Sequence, residues 1–263
     1  MKRGVRLLVR ADDAGSSWSS NVGCLRACLS GIARSVEVMM PCPWTTHAAA
    51  LLNPQSEIDV GIHLTLTSEW DAVKWRPLTD AGSLVDGAGH FFPLLMAREG
   101  DTRPNLAEAQ WSLDDIAREF RAQVALGVEM FSNASHVSSH MIRHFQDFDG
   151  RLEGVIEDIC REYGLANDAL GDGLTRIEGY PKAPRDTAYR IESFVRQLAD
   201  LEAGTYIFID HPAVASPELS AMGHQGYEDV ANDRISCLGT LMSSAVQERV
   251  EELGIELISY RQL

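Results

Sequence analysis

The sequence predicts an α/β architecture, a parallel (β/α) barrel that is incomplete and built from about seven strands. Three observations point there. Short apolar and β-branched runs alternate with helix-period segments along the whole chain. Most of these runs are apolar throughout, as expected of parallel strands covered by helices, and lack the in-out alternation of a half-solvated sheet. The length, 263 residues, is one at which α/β barrels fold as a single domain. Periodicity alone does not separate a barrel from an open doubly wound sheet; the strand count favours the barrel.

Val5–Val9 (VRLLV) reads as the first strand and Ser19–Ala33 as the helix after it. Val36–Met40 (VEVMM) is a second strand, Thr45–Leu52 a short helix and Ile58–Leu66 (IDVGIHLTL) a third strand. Ser112–Phe131 is a strong helix, with Ser112 at the N-cap and Asp114 and Asp115 in the first turn, where carboxylates meet the positive end of the helix dipole. His136–Ser139 follows as a short strand, then Leu152–Tyr163 and Pro184–Leu201 as helices. Thr205–Asp210 (TYIFID) is a strand, Ile235–Leu253 a helix and Ile255–Tyr260 (IELISY) the last strand. Residues 1–263 are read as one domain with long inserted loops near 67–105 and 212–233. Loops of that length exceed simple connections. In a barrel they follow strand C-termini and become candidate substrate loops, the alternative being a solvated insertion or a contact between copies.

A balance of 38 acidic against 23 basic side chains leaves a net charge of −15. This argues against a nucleic-acid or anionic-membrane partner, both of which need a basic surface, and suits a neutral or cationic small substrate. Five cysteines without a CxxC pair predict reduced thiols in a cytoplasmic protein. The opening MKRGVRLLVRADD sets Arg6 and Arg10 inside the apolar stretch and two aspartates directly after it, so no signal-peptide core is expected. Nothing approaches the roughly 18 apolar residues of a membrane span. Self-association of the chain as a homo-oligomer is compatible with these features.

Arg10-Ala11-Asp12-Asp13-Ala14-Gly15 follows directly on the first strand. Adjacent carboxylates repel unless a cation sits beside them, and a metal would relieve this, binding one and leaving its neighbour as a base. Side chains alternate on a strand, so both aspartates reach one pocket only if the chain bends here, which Gly15 permits. The competing reading is a helix-capping aspartate beside a solvated one. In the third strand, alternation places Gly61, His63 and Thr65 on one face and Val60, Ile62, Leu64 and Leu66 on the other. A small, polar face points at a polar cavity, although a hydrogen-bonded core histidine is the commoner case. Ser135–His144 carries His136, His140 and His144, three of eight histidines in the chain, and Asp210-His211-Pro212 ends another apolar strand. One aspartate and two histidines from different strand ends form a common divalent-metal set with positions left for water and substrate. Asp12 with Asp13, His63, His140 and His211 thus place titratable groups at four strand ends, where barrel enzymes keep their chemistry.

Taken in order, ADDAG, GIHLTLT, HVSSHMIRH and DHPA resemble the YdjC-like carbohydrate deacetylases, of the chitooligosaccharide deacetylase type. The resemblance runs nearly end to end and takes in SLVDGAGHFFP, Arg234 and the closing IELISYRQL. It implies an irregular TIM-like barrel related to the polysaccharide deacetylases. It also implies a metal-dependent hydrolase that removes an N-acetyl group from an acetylated amino sugar or oligosaccharide and releases acetate. By the same resemblance Asp12 is the general base, and Asp13, His63 and His140 ligate one divalent ion, magnesium or zinc. His211 is the general acid or a partner that orients the base. Trp75, Arg76 and Arg143 are candidate substrate contacts; Trp70, Trp75 and Phe91 either stack on sugar rings or pack the long loop. Ala14 stands where the family carries a bulky aromatic, and Ser138 and Met141-Ile142 replace the acid and the Gln-His of its DSHQHVH motif. The three ligands survive, so metal binding is expected, while Arg143 and the room beside Ala14 suit a different acyl sugar. The alternatives are a metal-dependent amidase on a non-sugar substrate, a non-catalytic sugar-binding relative, and an iron(II) oxygenase using the same Asp and two His. The last normally sits in an antiparallel jelly roll, often with HxD spacing, and neither is apparent in the sequence.

Overall fold

All strand pairs of the central sheet are parallel, which obliges the chain to cross over between them. The structure is a computed structural model describing residues 4–168, 174–180 and 186–263. The first part of the chain runs β1 (Val5–Ala14), α1 (Trp18–Leu29), β2 (Ser35–Val38), α2 (Thr45–Leu52), β3 (Asp59–Leu64), α3 (Leu113–Met130), β4 (Ala134–Ser139) and α4 (Arg151–Tyr163). There follow β5 (Ala166–Asn167), β6 (Leu174–Arg176), α5 (Thr187–Asp200), β7 (Gly204–Asp210), α6 (Pro217–Ser220), α7 (Val230–Leu241), α8 (Ser244–Leu253) and β8 (Glu256–Ile258). The strand order β5-β4-β3-β2-β1-β7-β6 curls into a TIM-like half-barrel. The last strand, β8, lies beside Arg6–Leu8 while β2 lies beside Arg10–Ala14, so the two share one edge of β1 in series.

Alternation along each strand sorts the sheet into two faces. Leu7, Val9 and Ala11 of β1, Val36 and Val38 of β2, and Val60, Ile62 and Leu64 of β3 pack with helix residues such as Ala27, Phe120, Val124 and Phe194 in one apolar core. The opposite face carries Arg10, Asp12, Ser35, Glu37, His63, His136 and Ser138, all buried. A small second cluster of Leu8, Ile207, Ile258 and Tyr260 plugs the interior beside them.

The long segment after β3 packs into the core. It buries Trp75, Leu84, Phe91, Leu94 and Leu106, and Glu119 of α3 accepts from Leu78 N, Thr79 N and Thr79 Oγ1 at 3.0, 3.0 and 2.6 Å. Gln123 pairs with both backbone groups of Thr65.

Several boundaries differ from expectation. The predicted helix over Ile235–Leu253 is two helices, because Ser243 is extended (φ −62°, ψ 131°) and starts α8; the apolar period simply continues across the break. The closing strand stops at Ile258, and Ser259 caps a single 3-10 turn over Tyr260–Gln262. The very short β5 and β6 carry too few residues for a periodic signal. The first two residues of the predicted Pro184–Leu201 helix lie outside the described residues; α5 begins at Thr187, where Asp186 accepts from Tyr189 N at 2.9 Å. The five cysteines are free thiols. Among the described residues no helix is long and apolar enough to cross a membrane.

Candidate active site and metal centre

The first strand does not end at Val9 but runs on through both aspartates, and the sheet loses step there. Ala11 faces Val36 and Ala14 faces Val38, so Asp12 and Asp13 stand opposite Glu37 alone. Asp13 accommodates this bulge with φ +71°, a left-handed backbone that aspartate tolerates better than most residues. Gly15 follows at φ +90°, where a Cβ would meet Met39 O at 2.8 Å. The bend foreseen at this point therefore falls on Asp13 itself and is completed by Gly15. Both carboxylates turn to the same cavity of about 510 Å³, which His63, His140 and His211 also line.

The two neighbours are held quite differently. Asp12 accepts a fork from Arg10, Nε to Oδ1 at 2.7 Å and Nη2 to Oδ2 at 2.8 Å. Arg10 Nη1 reaches Asp168 Oδ2 at 2.7 Å and Tyr260 Oη at 3.3 Å, and the Tyr260 hydroxyl donates to Asp168 Oδ1 at 2.5 Å. Burial pushes the Asp12 carboxyl above its ordinary range, with Arg10 opposing. Asp13 splits its oxygens. Its Oδ2 accepts from Arg234 Nη2 at 2.5 Å, whereas its buried Oδ1 has no well-aligned hydrogen bond among the described residues and faces the His140 ring. Burial would raise the Asp13 carboxyl too, but Arg234, His140 and His211 hold it well below the usual range. Neighbouring carboxylates driven apart in this way suit one proton acceptor and one permanent anion.

Asp13 Oδ1 lies 3.2 Å from His140 Nδ1 and 3.8 Å from His63 Nε2, and the ligand atoms of the three residues lie within 4.8 Å of one another, all buried. Donors that each approach a cation to about 2.0–2.2 Å stand roughly 3–3.6 Å apart. An Oδ1 without a well-aligned hydrogen bond, and this spacing, fit a divalent ion. His63 is held neutral, since burial, His140 and Arg10 all lower its pKa. His140 is bracketed by Asp13 and by Glu69, whose Oε2 is 3.2 Å from Nε2. Burial lowers its pKa, but Glu69 and Asp13 carry it up to about 10. A metal at Nδ1 would displace that proton and leave Nε2–H on Glu69.

The chain is matched over residues 6–252 by the sequence model of the family described as YdjC-like protein. It belongs to the YdjC-like family. It is 30% identical, over 97% of either chain, to the chitooligosaccharide deacetylase of Yersinia enterocolitica. To the carbohydrate deacetylase of Thermus thermophilus it is 32% identical, over 82% of this chain and 80% of the relative. A crystal structure of a proposed cellobiose-phosphate cleavage protein from Enterococcus faecalis shares the fold, with a TM-score of 0.76 and 23% identity over 98% of each chain.

In this YdjC-like chain the remaining sequence candidates divide. Arg143 is exposed and is among the residues lining the cavity. Trp75 and Arg76 do not line it. Trp75 is buried and donates Nε1–H to Thr67 O at 2.7 Å, and Arg76 reaches Ala88 O at 3.1 Å; both tie the long loop together. Phe91 is likewise buried in the loop core. Trp70 does line the cavity, with the Arg234 guanidinium 5.2 Å over its ring and His224 stacked at 5.9 Å. Ala14 sits in the apolar core, so no extra room opens there for substrate. Glu37, Glu69, Asp168 and Tyr260 were not anticipated. Glu37 had a signal, a lone charge within the apolar run VEVMM; the others stand in irregular or terminal segments that give none.

Proposed function

We propose that this YdjC-like protein is a metal-dependent hydrolase that removes the N-acetyl group from an acetylated amino sugar or chitooligosaccharide-type oligosaccharide, releasing acetate. The observation that carries this reading is the Asp13–His63–His140 donor triangle beside a separately held Asp12, in a cavity that His211 also lines. The deacetylase names of the relatives supply the substrate class.

Asp13 Oδ1, His63 Nε2 and His140 Nδ1 would hold one magnesium or zinc ion. Bound there, the ion supplies Lewis-acid polarisation of the acyl carbonyl and a lowered water pKa. Asp12 accepts the proton of the attacking water, its plane fixed by the Arg10 fork and its proton affinity raised by burial. Arg234 keeps Asp13 anionic and commits one of its oxygens, so the other stays free for the cation. His211, at the end of β7, gives a proton to the departing amine. Arg143 contacts the sugar.

Acetate release from N-acetylglucosamine oligomers, measured after chelation with and without added divalent metal, tests the proposal. Release is expected only with metal. Asp12→Asn should keep one ion per chain and lose about 10²–10⁴ in turnover, whereas His63→Ala should lose both ion and turnover. Wild-type turnover in Asp12→Asn would overturn the base assignment. A chain that holds metal yet releases no acetate from any oligomer would point to an amide other than a sugar. Failure to hold metal would remove the proposal altogether.

A further inference from the structure

Beneath His63 the interior face of the sheet carries a run of buried hydrogen bonds that the reaction does not use directly. His63 Nδ1 is 2.8 Å from Ser138 Oγ on β4, and Ser138 Oγ–H donates to Glu37 Oε2 on β2. The other carboxylate oxygen, Oε1, accepts from Ser35 Oγ at 2.9 Å and lies 2.8 Å from His136 Nε2. His136 stacks on Tyr260 with ring centroids 3.5 Å apart. Glu37 and His136 have no exposed surface, and His63 and Ser138 have almost none. Space for the carboxylate exists because residue 61 is glycine: a Cβ there would strike Glu37 Oε2 and His136 Nε2.

Donor counting fixes the direction of this chain. An ionised carboxylate only accepts, so Ser138 spends its single hydrogen on Glu37 and its oxygen must accept from His63. His63 is then protonated on Nδ1. Its Nε2 carries the free lone pair, and Nε2 is the atom facing Asp13 Oδ1 at 3.8 Å and Asp12 Oδ2 at 3.6 Å. Burial opposes ionisation of Glu37, yet His136 and Arg10 hold its pKa well below the usual carboxylate range.

We infer that Glu37, acting through the Ser138 hydroxyl, is a positioning residue that sets the tautomer and ring orientation of His63 and strengthens it as a metal ligand. The inference rests on the metal site proposed above. Nothing in it requires Glu37 or Ser138 to touch substrate.

Two measurements test it, each on the full chain. The first is ¹⁵N NMR of the metal-free protein, with His63→Gln used to assign the ring. Wild type should show His63 in the Nδ1–H form, and Ser138→Ala should shift it toward a mixture of tautomers. The second is cobalt(II) binding by calorimetry and visible absorption. Ser138→Ala and Glu37→Gln should each weaken binding by about 10–100-fold. The double variant should be little worse than either single, as for two links of one chain. Ser138→Ala removes one buried oxygen and keeps the packing if Glu37→Gln proves unstable. Wild-type cobalt affinity in both variants, or an Nε2–H His63 in the wild type, would overturn the inference. Absence of cobalt binding by the wild type would instead overturn the metal site, and the NMR result would still decide the hydrogen-bond direction.

Discussion

The two faces of the sheet are built from the same strands and do opposite work. On β1, Leu7, Val9 and Ala11 join the apolar core under the helices, while Leu8, Arg10 and Asp12 turn inward. On β3 the split is Val60, Ile62 and Leu64 against Gly61 and His63. The outer face gains about 1.5–3 kcal/mol for each large side chain fully buried. The inner face must desolvate charged groups, a cost that close partners offset only in part. Stability is therefore supplied on one side of the backbone and the ionisable groups of the candidate site are kept on the other, with one residue of offset between them.

That division is open to attack from both faces. The largest effect is expected from the inner one. Arg10→Met removes the only cation that directly hydrogen-bonds both Asp12 and Asp168 among the described residues. Leaving buried carboxylates without their partner costs about 3–5 kcal/mol, read as a lower urea midpoint, and acetate release should fall with it because Asp12 loses its fixed plane. On the outer face, Leu7→Ala should cost about 2–5 kcal/mol through the cavity it leaves. Metal content and acetate release of the folded fraction should stay at wild-type levels. If Leu7→Ala emptied the metal site, or Arg10→Met changed stability alone, the two faces would not be separable in this way.

The outer face was legible because burial against helices writes itself as repetition. Alternation placed Val60, Ile62 and Leu64 on one side and His63 on the other, as the structure has them. Thr45–Leu52 and the Ser112-capped helix follow from local propensity and capping, and the cap is made, Ser112 Oγ accepting from Asp115 N at 3.4 Å. The inner face was legible only where a charged or histidine side chain interrupted such a pattern. Asp12, Asp13, His63 and His140 met that condition. Asp168 and Tyr260 did not, because they reach Arg10 from the chain after β5 and from the last turn of the chain, 158 and 250 residues away. Such pairings arise from closure of the half-barrel, which no local window contains. The loop aromatics were ambiguous for the same reason: whether an indole meets a sugar or a leucine depends on how the loop folds back over the barrel.

The smallest expected effect comes where the two faces meet. After the bulge at Asp13, the chain passes Gly15 and enters α1, whose N-cap Ser17 accepts from Ser20 N at 2.9 Å. Gly15 N donates to Asn21 Oδ1 at 2.6 Å, and Ser16 Oγ to Asp13 O at 2.6 Å. The outer helix thus grips the inner turn at Gly15 through Asn21, Ser16 of the turn itself holds Asp13 O, and Ser17 serves the helix alone. Ser17→Ala leaves Ser20 N without its acceptor and should cost about 1 kcal/mol, seen as a small fall in the urea midpoint. Acetate release should be unchanged, because the contacts that hold the Asp13 backbone remain. A drop in turnover larger than the loss of stability explains would show that the cap also sets the bulge, and that the outer layer reaches further into the chemistry than the division of faces allows.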